Sequence, residues 1–296
     1  MTDSSSATLS QWVEGARPRT LPAAVAPVLA GTGVAAFVDD VVWAKALLAL
    51  GVSLALQIGV NYANDYSDGV RGTDDDRVGP LRLVGSGLAS PAAVKAAALA
   101  FLGLGALLGL ALAATTTWWL LLVGVAALGA AWTYTGGSNP YGYRALGEVS
   151  VFLFFGLVAV LGTVYVQVES LPWEAWAAAV GVGALACAIL VANNLRDIPT
   201  DVEAGKRTLA VVLGDARSRT FYVALVVVAA AAAVAIAVGA TPWALLALPG
   251  LLPVVPAVRA VVGGAVGPAL VPVLKTTGIA ELLWSAGLAL GLVLGR

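Results

Sequence analysis

The sequence predicts an all-α integral membrane protein, a bundle of nine transmembrane helices, on two observations. Of the 296 residues, 60% are hydrophobic and only 11% are charged, whereas a soluble domain carries about 25% charged residues. The apolar residues also gather in runs close to the roughly 20 residues that an α-helix needs to cross a bilayer. A soluble fold is therefore excluded.

Short polar segments separate the apolar runs and mark their ends. VDDVVW separates the first and second runs, ATTT the third and fourth, VESLPWE the fifth and sixth, and VGATPW the seventh and eighth. The eighth run is the least regular because it is rich in proline. The predicted spans are 20–38, 42–66, 92–113, 117–135, 146–167, 173–195, 220–239, 242–262 and 273–294.

The basic residues predict the orientation of the bundle, because Lys and Arg collect in short cytoplasmic loops. With nine spans, only Lys45 and Arg296 of the 16 basic residues fall on one side, which leaves 14 on the other. That second side carries the N-terminus and the two longest connections, residues 67–91 and 196–219. We therefore expect a multi-pass protein of the cell membrane with its N-terminus and both long connections in the cytoplasm.

Composition limits the chemistry that the chain can perform. The sequence has no histidine and one cysteine, Cys187, which excludes His-dependent catalysis, a Cys/His zinc site and an internal disulfide. Its 16 basic and 17 acidic residues give no basic surface for nucleic acid. No soluble domain is visible, so residues 1–296 are expected to form a single transmembrane domain that includes a polar cytoplasmic N-terminal segment, residues 1–18.

The first candidate site lies at the end of the second span, in NYANDYSDGVRGTDDDR. Gln57, Asn61, Asp65 and Asp68 recur at intervals of four, four and three residues, so a helix would project them from one face. Asn64 lies beside this row. The alternative is that these residues are solvated loop charges or helix caps, which is most plausible within the DDD run.

The second candidate site follows the sixth span, in NNLRDIPTDVEAGKR. Asn193, Asp197 and Asp201 are spaced by four residues, and we expect Pro199 to end or bend the helix between the two carboxylates. Carboxylate and amide oxygens are hard ligands that suit Mg²⁺, with Mn²⁺ as a substitute, and Mg²⁺ commonly joins one or two carboxylates to substrate phosphates. Two such motifs can hold a diphosphate between them.

Basic residues accompany both motifs in the sequence. Arg and Lys are common partners of phosphoryl oxygens, although each also satisfies the charge bias of cytoplasmic loops. One of them, Arg144, has Glu148 one helical turn ahead as an ion-pair partner, and Glu281 in the last span either faces the cavity or pairs with Lys275. The candidate phosphate-binding or substrate-binding residues are Asn61, Arg71, Arg77, Arg82, Arg144, Asn193, Lys206 and Arg207.

The segments NDYSDGVRGTDDDRVGPLR and NNLRDIPTDVEAGKRTLAVVLG resemble the two Asp-rich signatures of the UbiA superfamily of membrane prenyltransferases. Together with ARPRTLPAAVAPVLAG and YGYRALGEVSVFLFFG, they are most similar to the branch that acts on 1,4-dihydroxy-2-naphthoate. The superfamily patterns N-D-x-x-D and D-x-x-x-D match, in order, Asn64, Asp65, Asp68, Asp197 and Asp201. The next aspartate, Asp74, follows Asp68 by six residues, where the superfamily often has a shorter interval.

The resemblance implies a nine-helix bundle whose central cavity opens to the cytoplasmic side and laterally to membrane lipid. A polyprenyl diphosphate would bind there through Mg²⁺ to both motifs, and Tyr134 and Tyr143 are candidates for contacting the aromatic acceptor. The acceptor 1,4-dihydroxy-2-naphthoate would attack through the carbon that bears its carboxylate and lose CO₂, giving demethylmenaquinol. The implied catalytic residues are Asp65, Asp68, Asp197 and Asp201, and the implied metal ligands are these four with Asn64 and Asp74.

Three alternatives stay open from the residues alone. A related prenyltransferase with another aromatic acceptor, such as 4-hydroxybenzoate, would keep the same fold and acidic motifs. A cation transporter would also place acids among membrane helices, although its site usually lies near the bilayer midplane. A CDP-alcohol phosphotransferase would carry D-G-x-x-A-R, which DGVR in this sequence does not match.

Overall fold

The computed structural model describes residues 7–72 and 81–296, and within those two ranges the regular structure is helical with no β-strand. The helices are α1 Leu9–Gly15, α2 Pro22–Val38, α3 Trp43–Arg71, α4 Pro91–Thr115, α5 Leu120–Thr133, α6 Gly147–Val168 with a π-helical centre at Phe152–Val158, α7 Trp173–Glu203, α8 Leu209–Leu213, α9 Asp215–Gly239, α10 Val254–Val262 and α11 Val271–Leu294. The 3₁₀ segments Pro18–Thr20, Pro242–Leu251 and Gly267–Leu270 lead into α2, α10 and α11.

Six helices are long and apolar enough to cross a bilayer, namely α3, α4, α6, α7, α9 and α11 with its preceding turn. Two bent pairs raise the number to eight if each is one span: Leu9–Thr20 meets Pro22–Val38 at 48°, and Pro242–Leu251 meets Val254–Val262 at 54°. Helix α5 has 14 residues, which gives roughly 21 Å of helix against a hydrocarbon core of roughly 30 Å. The described residues therefore hold six to eight candidate spans, against the nine predicted.

Helix α7 continues well past its predicted span. It runs through Pro199 to Glu203, so the helix does not end at Pro199 as one of the two expected outcomes required. Proline costs the helix one backbone hydrogen bond and crowds the preceding turn, but the helix continues for another turn, in which the hydroxyl of Thr200 donates to the Asp197 carbonyl oxygen at 3.0 Å. Asp197 and Asp201 therefore lie one turn apart on one face of a continuous helix.

Small residues allow the helices around α7 to approach closely. A Cβ on Gly156 of α6 would lie 2.7 Å from the Cα of Gly183 on α7, and a Cβ on Gly33 of α2 would overlap the backbone of Ala289 on α11. Helix α2 packs against both α3 and α7. This packing places the polar ends of α3 and α7 around a common space.

Candidate active site

A polar cavity of about 240 Å³ adjoins an apolar cavity of about 350 Å³. Five residues line both cavities, namely Gln57, Asn64, Tyr134, Val151 and Phe155. The polar cavity gathers nine residues that the sequence predicted for the site: Asn64, Asp68, Arg82, Tyr134, Tyr143, Asn193, Asp197, Asp201 and Lys206. Both acidic motifs therefore face one space, beside a chamber that suits a hydrocarbon chain.

On α3, Asn64 and Asp68 line the polar cavity. The hydroxyl of Tyr143 donates to Asp68 Oδ1 at 2.5 Å, and Arg82 Nη2 lies 3.6 Å from Asp68 Oδ2. The hydroxyl of Thr135 donates to Asn64 Oδ1 at 2.7 Å. Residues from two separate connections therefore orient the polar end of α3, and Asp68 is only 3% exposed.

Asp65 departs from the predicted row on α3. Its Oδ2 accepts a hydrogen bond from the backbone N–H of Leu83 at 2.7 Å, and its Oδ1 accepts one from Val84 at 3.1 Å. Asp65 lines neither cavity, whereas its neighbour Asn64 lines both, and adjacent helical residues point about 100° apart. The row that lines the two cavities is spaced by four, three and four residues, and consists of Gln57, Asn61, Asn64 and Asp68.

On α7, Asp197 forms a buried ion pair with its neighbour Arg196. Arg196 Nε and Nη2 donate to the two carboxylate oxygens at 2.6 and 2.7 Å, and Nη2 also donates to Asn193 Oδ1 at 2.9 Å. Asp201 accepts a hydrogen bond from the hydroxyl of Thr208 at 3.3 Å. Arg196 was not predicted as a site residue, although the adjacent letters R and D in the second motif permitted this pair.

Lys206 brings a cation to the same cavity from the turn after α7. It is 8% exposed, and its ammonium lies 4.7 Å from the centre of the Tyr143 ring. The backbone N–H of Arg207 donates to the Tyr143 carbonyl oxygen at 3.0 Å, which ties this turn to the connection before α6. Tyr143 therefore contacts both motifs, Asp68 through its hydroxyl and Lys206 through its ring.

Several predicted residues lie elsewhere. The Arg71 guanidinium donates to the carbonyl oxygens of Thr135 and Gly137, and exposed Arg144 donates to Asn139 Oδ1 at 2.6 Å. The Arg207 side chain is exposed, and none of these three arginines is among the described residues that line either cavity. Asn61 lines the apolar cavity, where its amide donates to the Ala16 carbonyl oxygen at 2.9 Å and to the Thr20 hydroxyl at 3.0 Å. The predicted residues Asp74 and Arg77 lie outside the described residues.

Two ion pairs that the sequence left open are not formed. Glu148 is 4% exposed and accepts a hydrogen bond from Asn194 at 2.9 Å instead of pairing with Arg144. Both carboxyl oxygens of Glu281 are fully buried and have no hydrogen-bond partner in residues 7–72 and 81–296, so Glu281 does not pair with Lys275.

Arg17 is a cavity residue that sequence reasoning missed. It precedes the 3₁₀ turn Pro18–Thr20 with φ 55° and ψ 68°, a left-handed conformation that is uncommon for arginine and disfavoured before proline. Such strain is often kept at functional sites, and Arg17 and Thr20 both line the polar cavity. The signal in the sequence is Pro18 between two arginines.

Tyr141 supports the wall of the apolar cavity from outside the long helices. Its hydroxyl donates to the Ala130 carbonyl oxygen at 2.9 Å and lies 2.8 Å from the Ser150 hydroxyl. Burial raises the pKa of the Tyr141 phenol. It therefore stays protonated near neutral pH and ties the end of α5 to the start of α6.

The described oxygen atoms of the polar cavity fit a divalent cation that takes further ligands from substrate phosphates and water. In the described part of the chain, no three His, Cys, Asp or Glu side chains come close enough to hold a metal ion by themselves. Mg²⁺ usually takes one or two carboxylates and completes its shell with water and substrate phosphates. The available protein donors are oxygens of Asn64, Asp68, Asp197 and Asp201, which is the donor chemistry that Mg²⁺ prefers.

The fold and the site define a multi-pass helical membrane protein in which acidic and basic residues share a cavity beside an apolar chamber. The model of the UbiA prenyltransferase family matches residues 24–265. The chain belongs to this family.

Curated relatives of high identity span nearly the whole chain. The 1,4-dihydroxy-2-naphthoate octaprenyltransferase of Mycobacterium tuberculosis is 56% identical over 290 residues, which cover 98% of this chain and 99% of that protein. The protein of the same description from Escherichia coli is 41% identical over 232 residues, which cover 76% of this chain and 75% of that protein.

Solved structures have the same fold at lower identity. The apo structure of a UbiA homolog from Aeropyrum pernix aligns with a TM-score of 0.72 at 18% identity, covering 90% of this chain and 97% of that chain. A UbiA homolog from Archaeoglobus fulgidus bound to DMAPP and Mg²⁺ aligns with a TM-score of 0.66 at 16% identity, covering 97% of this chain and 100% of that chain.

Proposed function

We propose that this protein transfers a polyprenyl group from a polyprenyl diphosphate to 1,4-dihydroxy-2-naphthoate, with loss of CO₂, to give demethylmenaquinol. The observation that carries the proposal is that a polar and an apolar cavity adjoin each other and share five lining residues. One is lined by both acidic motifs, Arg82 and Lys206, and the other is almost wholly apolar. A diphosphate with a long isoprenoid tail matches that division, and the names of two similar relatives supply the acceptor.

The diphosphate is placed in the polar cavity. Asn64, Asp68, Asp197 and Asp201 would hold Mg²⁺, with Mn²⁺ as a substitute, and the predicted ligand Asp74 and the predicted phosphate contact Arg77 lie outside the described residues. Mg²⁺, when bound, neutralises the charge of the diphosphate and so favours its departure. Arg82 and Lys206 provide further positive charge for the phosphoryl oxygens.

The chain's own residues control the fate of the allylic cation once the C–O bond to the diphosphate breaks. The apolar cavity excludes water from this cation and holds the isoprenoid tail, whose burial contributes about 0.8 kcal/mol per CH₂. The carboxylate-bearing carbon of the acceptor forms the new C–C bond, and the C–C bond to the carboxylate breaks, releasing CO₂. Loss of CO₂ restores aromaticity without removal of a ring proton, so this histidine-free chain needs no strong base.

Product analysis tests this function directly. Purified protein in nanodiscs would receive a polyprenyl diphosphate, either 1,4-dihydroxy-2-naphthoate or 4-hydroxybenzoate, and either Mg²⁺ or EDTA, with products identified by mass spectrometry. We expect a decarboxylated prenyl naphthalene that forms only with Mg²⁺. A product from 4-hydroxybenzoate alone would refute the acceptor and keep the class of reaction. No product from either acceptor would refute the naphthoate and lead first to tests of other aromatic acceptors and then to a test of cation transport.

The acceptor is placed where the two cavities meet, at Gln57. Gln57 Nε2 donates to the Thr20 hydroxyl at 3.0 Å, while its buried Oε1 has no hydrogen-bond partner within the described ranges. A buried acceptor atom that receives no hydrogen bond costs free energy, and a phenolic hydroxyl of the naphthoate would donate that bond. Arg17 lines the polar cavity beside Thr20, where its guanidinium can attract the naphthoate carboxylate.

We predict that Gln57→Leu raises the KM for 1,4-dihydroxy-2-naphthoate about tenfold, since one hydrogen bond of about 1.4 kcal/mol is lost. The KM for the polyprenyl diphosphate should stay within about twofold. Gln167→Leu is the matched control, because Gln167 on α6 also has a buried Oε1 without a partner in the described chain but lines neither cavity. Equal changes in both substrates' KM would place Gln57 outside the acceptor site.

We further propose nine spans, with α5 as a short ninth, and a polar cavity that opens to the cytoplasm. Accessibility of introduced cysteines tests this orientation, since the native Cys187 is buried. We expect an impermeant maleimide to label Asp40→Cys in intact cells, and to label Glu203→Cys only after permeabilisation. Both native side chains are exposed at their positions, so the reversed pattern would show the opposite orientation.

A further inference from the structure

Asp65 is the acid of the first motif whose carboxylate faces the protein instead of either cavity. It is 1% exposed, and its two oxygens accept hydrogen bonds from the backbone N–H groups of Leu83 and Val84 at 2.7 and 3.1 Å. Such bonds to a carboxylate are stronger than those between neutral groups. Both carboxylate oxygens therefore bind the backbone of the turn 82–86.

That turn has a second, apolar anchor. The Leu83 side chain is fully buried and packs so closely on α1 that a Cβ on Gly15 would lie 2.8 Å from it. The same Cβ would lie 3.3 Å from the ring of Tyr62 on α3. Leu83 is therefore held through its backbone by Asp65 and through its side chain by α1 and α3.

Arg82 immediately precedes this doubly anchored residue. Its carbonyl oxygen accepts a hydrogen bond from the Ser86 backbone N–H at 3.0 Å, which closes the turn. Its guanidinium lines the polar cavity, with Nη2 3.6 Å from Asp68 Oδ2. The position of this guanidinium therefore depends on the anchoring of the turn.

We propose that Asp65 is a positioning residue and not a metal ligand: it fixes the turn 82–86 on α3, so that Arg82 reaches the diphosphate. This inference rests on the proposed function, because it assumes that a diphosphate binds in the polar cavity. It assigns different tasks to two acids of one motif. Asp68 faces the substrate, and Asp65 holds the residue that assists Asp68.

Two measurements on Asp65→Asn and Asp68→Asn separate these tasks. The first is the Mg²⁺ concentration for half-maximal binding of inorganic pyrophosphate, with pyrophosphate at a concentration that saturates each variant; it should change less than about twofold in Asp65→Asn and rise more than about tenfold in Asp68→Asn. The second is hydrogen exchange of the peptide that covers residues 81–90. Exchange should accelerate at least about tenfold in Asp65→Asn only, because Asp68 does not bond to those amides.

Steady-state kinetics distinguish a displaced Arg82 from a general loss of stability. Asp65→Asn and Arg82→Gln should each raise the KM for the polyprenyl diphosphate about tenfold while leaving the KM for the acceptor unchanged, and the double variant should be no worse than Arg82→Gln alone. If Asp65→Asn does not fold, Leu83→Ala removes the apolar anchor and should give the same pattern. An Mg²⁺ requirement shifted as in Asp68→Asn, with exchange unchanged, would overturn the proposal.

Failure of the proposed function would look different. The wild-type protein would then show no Mg²⁺-dependent binding of pyrophosphate. The exchange of residues 81–90 would still decide whether Asp65 anchors the turn, and exchange that is equal in wild type and Asp65→Asn would refute the anchoring itself.

Discussion

Replacing Asp68 by asparagine is expected to lower prenyl transfer by about a hundred- to a thousandfold, or about 2.7–4 kcal/mol of transition-state stabilisation. Asp68 is buried at the polar cavity, where its carboxylate accepts a hydrogen bond from the Tyr143 hydroxyl and lies near Arg82. Asparagine keeps the size of the side chain but lacks the charge that attracts Mg²⁺. We therefore expect turnover to fall in a protein that still folds. Single-turnover product formation measures this loss.

Asp215→Asn is the matched control for that experiment. Asp215 is an acid at the start of α9, paired with Arg219 at 2.6 Å and largely exposed, and it lines neither cavity. Its replacement should leave turnover within about twofold, because exposed ion pairs contribute about 0–1 kcal/mol. If Asp68→Asn retained near-normal turnover with Mg²⁺, the first motif would not hold the diphosphate as proposed.

The apolar runs of the sequence predict most of the fold, because a helix must keep about 20 apolar residues to cross the hydrocarbon core. Each predicted span has a helical counterpart in the structure. Helix α5 is shorter than its predicted span, with 14 residues. A run of apolar residues shows where a helix can form, but it does not show the residue at which the helix ends. Pro199 likewise lies within α7, because the packing and hydrogen bonds of a long helix tolerate the loss of one bond.

Spacing also predicts the residues that gather at the polar cavity, but not the direction of each side chain. Asn64, Asp65 and Asp68 are equally polar in the sequence, and only the helical angle and the turn at Leu83 separate Asp65 from the other two. Arg71 is similar: its position beside the first motif suggested phosphate, whereas its donors bind carbonyl oxygens of a connection distant in sequence. Such contacts depend on tertiary packing, which no local pattern records.

Asp197→Asn is expected to lower both stability and turnover, because Asp197 serves two partners. Arg196 and Asp197 form an ion pair whose side chains are only 4% and 8% exposed, and breaking such a pair from one side costs about 3–5 kcal/mol. The variant should therefore melt at a lower temperature without ligand. It should also lose about a hundredfold or more in turnover, since the diphosphate site lacks one carboxylate.

The double variant Arg196→Gln/Asp197→Asn separates these two effects. The double variant removes both members of the Arg196–Asp197 pair, so Arg196 no longer lacks its carboxylate and the melting temperature should recover most of the loss seen in Asp197→Asn. Turnover should not recover, because the second motif still lacks the carboxylate, and Mg²⁺ with pyrophosphate should no longer raise the melting temperature as it does in the wild-type protein. Recovery of turnover together with stability would mean that Asp197 acts only through its ion pair, and the second motif would then contribute Asp201 alone to the diphosphate site.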